Sequence, residues 1–474
     1  MGITKTAVIS GAGPCGLAAA LMLHARGWER IHVVERNPSA TIFDKNKGFN
    51  YLIDARGQKL LKQLGIADRL EHYGVENRRN VMTMVTAEGE HKTFKSPFWD
   101  PARDSAYWSR RERLQALLYD RVEEINTDGR IVFHFNHVFV GMKDGQSTVL
   151  AKDLESGEEK VFSADFVLGC DGLKSSVRDA MVAHSGLTAS AFDREKFPSP
   201  SSQLFYKVLQ IPAHVTLKGD LKAADDHKMA YAFLARHTEP DKAMAMVAYP
   251  VSSPDEPRTV NIIRLPGHHI WTIKDADALF AFLEDAFPQM PIRDVLTQQE
   301  AEDFISIEAP KFPAPQYTKM TYASLGKGQG VPALLIGDAA HAFPPDLGLG
   351  VNTAMEDVWR LSEFLERSGD DPAAAGQAFD ADQARERRAL AKLVQTVAPY
   401  QYNQSPGRLK LWALKFFAVK LLNKVLPFLI DRPAVLLAQQ DHLPFSQIRR
   451  RQVFNRWKIG ALVGAIVGGV AWAL

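Results

Sequence analysis

At 474 residues the chain is too long for one small domain and suits two domains with a tail. Its 46% hydrophobic and 24% charged residues exclude a disordered chain and supply a core that needs no disulfide or metal. Lys+Arg of 57 against Asp+Glu of 55 nets +2, which makes no electrostatic case for nucleic acid; the two cysteines, Cys15 and Cys170, suit a reducing compartment and offer no metal-ligand spacing.

In chain order, residues 6–10 (Thr-Ala-Val-Ile-Ser) read as a core strand. No secretory pattern or cleavable presequence precedes it, and a strand here would pin the end against a loose myristoylation match at Met1-Gly2. An Ala/Leu-rich helix over 14–26 is stopped by Gly27, and a second strand over 31–35 completes a βαβ unit. Asp54 is placed to cap a short helix ending near Gly65. A longer helix over 111–126 leads to strands at 131–135, 149–152 and 166–170. The Pro/Ser-rich stretch 197–202 then opens a β-rich region, with strands such as 244–249 and 259–264. Ala333-Leu334-Leu335-Ile336-Gly337 is a buried strand returning to the first domain, followed by a helix over 352–367. The expected fold is α/β: a Rossmann-like dinucleotide-binding domain (1–185 and 331–400), an inserted sheet-containing substrate domain (186–330), C-terminal helices (401–458) and a tail (459–474).

The tail carries no charge, follows a basic stretch (Arg449, Arg450, Arg451, Arg456, Lys458) and repeats glycine at 460, 464 and 468. It reads as a C-terminal membrane anchor with the basic side, and the catalytic domain, cytosolic; the alternative is a terminal helix packed on the domain. As a helix it would reach about 24 Å, short of the roughly 30 Å hydrocarbon core. Residues 409–430 are basic and apolar together, which fits either a membrane surface or a buried core helix.

Gly11-Ala12-Gly13-Pro14-Cys15-Gly16 is a GxGxxG between strand and helix. Gly11 makes the turn, Gly13 lets a pyrophosphate approach the backbone, and Gly16 packs helix on strand. The helix N-terminus offers free N–H groups to the phosphates. Glu35 closes the second strand, placed to accept bonds from ribose hydroxyls, with Arg36 beside it. Asp171-Gly172 follows one strand and leads to Ser175 and Arg178; Gly337-Asp338 follows another and precedes His341, Pro344, Pro345, Gly348, Gly350 and Asn352. Phe343, Pro344, Pro345 and Leu347 suit either a dry wall or core packing, and His341 suits a structural role better than that of a general base. Gly326, Gly328 and Gly330 read as a flexible turn, His268-His269 as exposed, and Trp108 and Trp271 as isolated.

With these three motifs in this order, the chain resembles the FAD-dependent aromatic hydroxylase family. Within it the likeness is nearest the kynurenine 3-monooxygenase subfamily, through Asn50, Arg56-Gly57, residues 133–137, Gly350-Val351-Asn352 and Glu356-Asp357. The resemblance implies bound FAD, NADPH or NADH as transient reductant, O₂, and a small aromatic substrate. It implies that Asp338 binds the ribityl hydroxyls, that Asp171 and Arg178 touch FAD and the passing nicotinamide nucleotide, and that Arg111 (with Arg110 adjacent) contacts FAD. Gly348 and Gly350 would offer N–H groups to the flavin ring. The resemblance implies that a flavin C4a-hydroperoxide would carry the chemistry, so no catalytic side chain and no metal is assigned. For substrate the resemblance points to Arg78, Tyr107, Pro345 and Asn352, with Tyr400 and Tyr402 as further candidates. The carboxylate clamp fits incompletely, since Asn80 falls where the subfamily's arginine belongs. The reactions expected are hydroxylation of an aromatic such as L-kynurenine or, alternatively, oxygenation of a lipophilic membrane-borne substrate, or flavin reduction without oxygen transfer.

Overall fold

The computed structural model describes residues 3–473 apart from 43–47, 78–80, 101–102, 104, 144–147, 327–329 and 403; of 3–4 and 466–473 only the backbone element is described. The myristoylation match at Gly2 and the middle of the Gly326–Gly330 turn therefore lie outside the described residues.

The first strand, Ile3–Ser10, sits inside a six-stranded sheet. Ala7, Val8 and Ile9 are fully buried, the continuous apolar run of a strand covered on both faces. It pairs in parallel with Trp28–Val34 on one side and Phe166–Gly169 on the other; Val331–Leu335 and Ile131–His134 extend the sheet in parallel, and Tyr322–Leu325 closes one edge antiparallel. The helix Pro14–Ala25 starts with proline at its first turn and ends before Gly27, whose φ of +84° suits a residue without Cβ. It is buried on nearly every side because it packs against the sheet and against Arg111–Ile125 and Gly350–Arg367. Asp54 caps Ala55–Gln63, accepting from the Arg56 and Gly57 N–H groups.

The register decides where the motifs meet. Ser10 lies opposite both Gly169 and Val34, and Gly169 opposite Leu335. The residues that follow (Gly11, Cys170-Asp171, Glu35 and Gly337-Asp338) therefore line one carboxyl edge of the sheet. That is the crevice in which open α/β sheets bind ligands.

A second six-stranded sheet runs Phe205–Ile211, Arg258–Arg264, Ala245–Ala248, Ala230–Leu234, Val81–Val85, His91–Lys95. One face (Leu209, Ile211, Val260, Ile262, Met246, Phe233) packs on the helices of 276–304. Strand alternation turns Tyr206, Asn261 and Val247 to the other face. This departs from a second domain confined to 186–330: two strands come from 81–95, and Tyr322–Leu325 belongs to the first sheet. Pairing across more than a hundred residues made the difference.

The chain ends in helices Pro372–Val397, Pro406–Val425, Ala434–Leu437 and Phe445–Ala473. Among the described residues no helix is long and apolar enough to cross a membrane, and the side chains of 466–474, half of the expected anchor, lie outside that set. His268 is buried, against expectation, because its Nδ1 accepts from Ile270 N to cap a short turn; burial lowers its pKa to about 4. His269 is exposed, as expected.

Candidate active site

The glycine loop is shaped by close approaches. Gly11 has φ +97°, and a Cβ there would sit 2.7 Å from the Cys170 carbonyl oxygen; one on Gly16 would fall 1.8 Å from the Gly11 carbonyl. A Cβ on Gly13 would meet nothing within 4 Å. The loop thus leaves open space beside its middle glycine, over the start of a 12-residue helix whose first N–H groups lack intrahelical partners. That space suits a diphosphate. Glu35 stands where expected, but its oxygens accept from the N–H groups of Ala12 (2.7 Å) and Asn37 (2.9 Å), which braces the loop. Lone pairs remain on both oxygens for a ribose. Arg36 is exposed.

Asp338 is exposed between buried Gly337 and Ala339, so its carboxylate projects into the crevice. The protein crowded around it raises its pKa, and the charges of His341 and Arg111 pull it back. Of the two adjacent arginines, Arg111 is the one beside Asp338, and it also bonds Tyr51, whose phenol burial pushes up. Arg110 pairs instead with Glu112 (3.0 Å) and donates to Pro257 O. His341 is buried and its Nε2 lies 2.8 Å from Asp357 Oδ2, which also accepts from Gly337 N. Burial lowers the His341 pKa, but the carboxylates of Asp357 and Asp338 together turn the net shift upward. Asp357 thus ties His341 to the Gly337-Asp338 turn.

Asp171 bonds inward: one oxygen accepts from Ser10 Oγ, Ser176 N and Oγ, and Val177 N, which fixes the start of Ser176–His184 beside the first strand. Arg178 donates to Leu173 O. Gly348 has φ +63°, and Gly350 opens the 18-residue helix with nothing within 4 Å of its Cβ direction. The residues present fit a dinucleotide cofactor such as FAD: open space at a helix start, an exposed acid at the same sheet edge, and a second helix start at Gly350.

The expected substrate residues fare differently. Arg78 lies outside the described residues. Pro345 is exposed. Asn352 is 1% exposed and spends its amide on backbone: Nδ2 donates to Leu52 O and Gly348 O, both 2.7 Å, and Oδ1 accepts from Asp54 N at 2.9 Å. It locks the Gly348 loop to the Asn50–Ile53 strand and retains no free donor. Tyr107 pairs across from Ile53 and packs on the first-domain core, whereas its neighbour Trp108 points the other way, to Tyr249 at 4.9 Å. The period-two pleat separates them.

What the structure assembles beyond Gly348 is an aromatic cluster. Tyr206 stacks on Phe312 (4.7 Å) and meets Phe49 (4.6 Å); Tyr402 lies 6.2 Å from Phe312. Tyr249 bonds Asn261 and is, with Asp346, close enough to raise the Tyr402 phenol electrostatically, although burial contributes more. Asp346 is 7% exposed, bonded by Gln401 Nε2 and Ser201, and burial raises its pKa to about 7. Sequence reading missed Asp346, Tyr249 and Asn261. Only Asp346 left a signal, as the one charge in Pro344-Pro345-Asp346-Leu347-Gly348. Phe343 and Leu347 pack toward the C-terminal core. Behind His341 a separate cavity of about 20 Å³, lined by Arg56, Glu356, Asp357 and Arg387, has room for water and no more.

Against known proteins, the FAD binding domain family matches residues 4–193 and 292–395, well over half of the chain. The chain belongs to the FAD-binding-domain family. It is an FAD-dependent oxidoreductase of the monooxygenase class, with the NAD(P)H dependence typical of its relatives. Kynurenine 3-monooxygenase of Anopheles gambiae is 25% identical over 468 residues, covering 98% of this chain and 88% of that one. The enzyme of the same name from Salinispora arenicola is 27% identical over 390 residues, 81% of this chain and 78% of that one. Among solved structures, 2-methyl-3-hydroxypyridine-5-carboxylic acid oxygenase shares the fold with a TM-score of 0.57 at 19% identity, over 85% of this chain and 92% of that one. PqsL of Pseudomonas aeruginosa, solved with 2-aminobenzoylacetate, does so at 0.54 and 17%, over 87% and 100%.

Proposed function

We propose that this FAD-binding-domain protein hydroxylates a small aromatic molecule with NAD(P)H and O₂, and that the substrate ring lies between the flavin and the Tyr206–Phe312–Tyr402 cluster. Bound FAD supplies the redox and oxygen chemistry. The chain's part is to hold the cofactor through the Gly11–Gly16 loop, Arg111, Asp338 and the Gly350 helix start, to exclude water with aromatic side chains, and to orient the ring. The observation that supports this best is the convergence of three motifs on one sheet edge, opposite the polar and aromatic face of a second sheet. L-kynurenine is the first substrate to test, on the strength of the relatives. The surroundings of Asp346, Tyr402 and Tyr249 favour a ring bearing hydrogen-bond donors, such as an amino or hydroxyl group.

The test measures NAD(P)H oxidation, O₂ uptake and product mass over a panel of aromatic amino acids, aminobenzoyl compounds and phenols. Substrate-stimulated uptake with a product one oxygen heavier is expected. Oxidation with no oxygen incorporated from any of them would leave a flavoprotein reductase. A second reading, a lipophilic membrane-borne substrate reached through a C-terminal membrane attachment, is favoured by the exposed apolar face of Pro406–Val425; isoprenoid quinones in the panel test it.

A further inference from the structure

The helix Pro406–Val425 buries only Phe416. Its inner side is firmly held: Trp412 and Phe416 each pack 5.0 Å from Phe98, and Trp412 Nε1 donates to Thr396 O. With that side fixed, Leu411, Leu414, Phe417, Leu421 and Val425 face out, 52%, 67%, 46%, 62% and 64% exposed. At about 100° per residue this spacing confines the five to a stripe roughly 120° wide. Phe428, just beyond the helix, is 85% exposed. Lys415 borders the stripe on one side, Lys420 and Lys424 on the other, all exposed. No acidic residue occurs between Glu386 and Asp431.

The pattern continues onto the last helix. Asp431 lies 3.9 Å from Lys458 and 3.7 Å from Arg451, which brings the Phe428 corner near Trp457, itself 75% exposed. A water-facing helix has no reason to present large apolar groups at helical spacing. A basic rim with an apolar centre matches the headgroup and acyl layers of an anionic bilayer.

We propose that this face, the outer stripe of Pro406–Val425 with Phe428 and Trp457, docks on an anionic lipid surface with the helix lying in the membrane plane. A second copy of the chain is the weaker occupant, because it would set lysines against lysines with no acid to receive them. The attachment differs from a spanning tail. It uses the side of a helix already packed on the enzyme.

The experiment sediments the FAD-loaded full chain with phosphatidylcholine vesicles, with and without phosphatidylglycerol, at about 0.1 M and about 0.5 M salt. Binding should require phosphatidylglycerol and weaken with salt. The triple variant Lys415→Gln, Lys420→Gln, Lys424→Gln should bind roughly 100-fold more weakly. Leu414→Ser with Leu421→Ser and Phe428→Ser should remove binding altogether. Both variants should keep the flavin spectrum and melting temperature of the parent, since none of the six side chains is buried. A chain ending at Lys458 should bind as the parent does. The proposal is overturned by three results: no sedimentation with phosphatidylglycerol, binding that survives both triple variants, or a stable dimer that the serine variant dissociates.

Discussion

Gly13 and Gly16 are two residues of one turn with opposite physical demands. A methyl group at Gly16 collides with the Gly11 carbonyl, while at Gly13 it enters open space. Gly16→Ala should therefore destabilise the protein by roughly 2 kcal/mol or more, as overpacking does, whether or not FAD is present. Gly13→Ala should leave the flavin-free melting temperature unchanged and weaken FAD binding at least about tenfold, since the methyl group occupies the diphosphate's approach. Flavin titration beside thermal melts separates the two; equal FAD affinity in Gly13→Ala and parent would remove the phosphate from this loop. Asp346 makes a different test. Burial raises its pKa from the ordinary carboxylate range to about 7, so the folded state prefers the neutral acid. The stability that preference confers is complete below about pH 4, where the unfolded chain is also protonated, and is lost as pH rises toward 7. Asp346→Asn removes the penalty of ionising a buried carboxyl. Denaturant melts should show the variant gaining on the parent by a few kcal/mol between pH 4 and 8; parallel curves for the two proteins would mean that Asp346 is solvated and ionised throughout.

The short helix Ala55–Gln63 shows how an element legible in sequence takes its strength from what is not. Its cap is local: Asp54 and the two N–H groups it accepts lie within four residues of chain. The Gly-rich turn was readable partly for the same reason, because the approach of Gly16 to the Gly11 carbonyl is local, although Gly11 is also pressed by the distant Cys170 carbonyl. Other features depend on distant strands and helices. Asn352 bonds Leu52 and Asp54 some 300 residues away, Tyr107 turns inward through the parity of its strand pairing, and the strands at 81–95 join a sheet built mostly from 205–264. No local pattern records these choices. Arg56 belongs to this second kind. Its guanidinium bonds both Glu356 oxygens at 3.0 and 2.8 Å and the Gln440 and Leu443 carbonyls at 2.7 and 3.0 Å, with 2% of the side chain exposed. Glu356→Ala strands this cation and should cost about 3–5 kcal/mol, whereas Arg56→Met with Glu356→Met should cost much less. Urea melts of the parent and the two variants measure the difference, and a single mutant no worse than the double would show that water reaches the pair.

At the scale of the molecule, the C-terminal helices act as part of the core. Leu390, Leu393, Val394 and Val397 of one helix meet Phe416, Val435, Leu436, Leu437, Phe445 and Ile448 from the chain beyond 400, together with Leu349 of the loop before the Gly350 helix. Each such side chain contributes about 1.5–3 kcal/mol when fully buried, so the six beyond residue 400 together rival the ~5–15 kcal/mol that holds a typical domain folded. The same segment supplies the carbonyls that bind Arg56 and the glutamine that bonds Asp346. Residues 459–465, by contrast, are mostly exposed. A chain ending at Tyr400 should therefore be insoluble or flavin-free. One ending at Lys458 should keep the parent's FAD content and melt within about 0.5 kcal/mol of it, the range expected when only surface is removed. Expression of the two truncations, with flavin absorbance read against protein, decides the matter. A yellow, soluble protein ending at Tyr400 would show that the two sheets and the Gly350 helix hold the cofactor without the C-terminal layer.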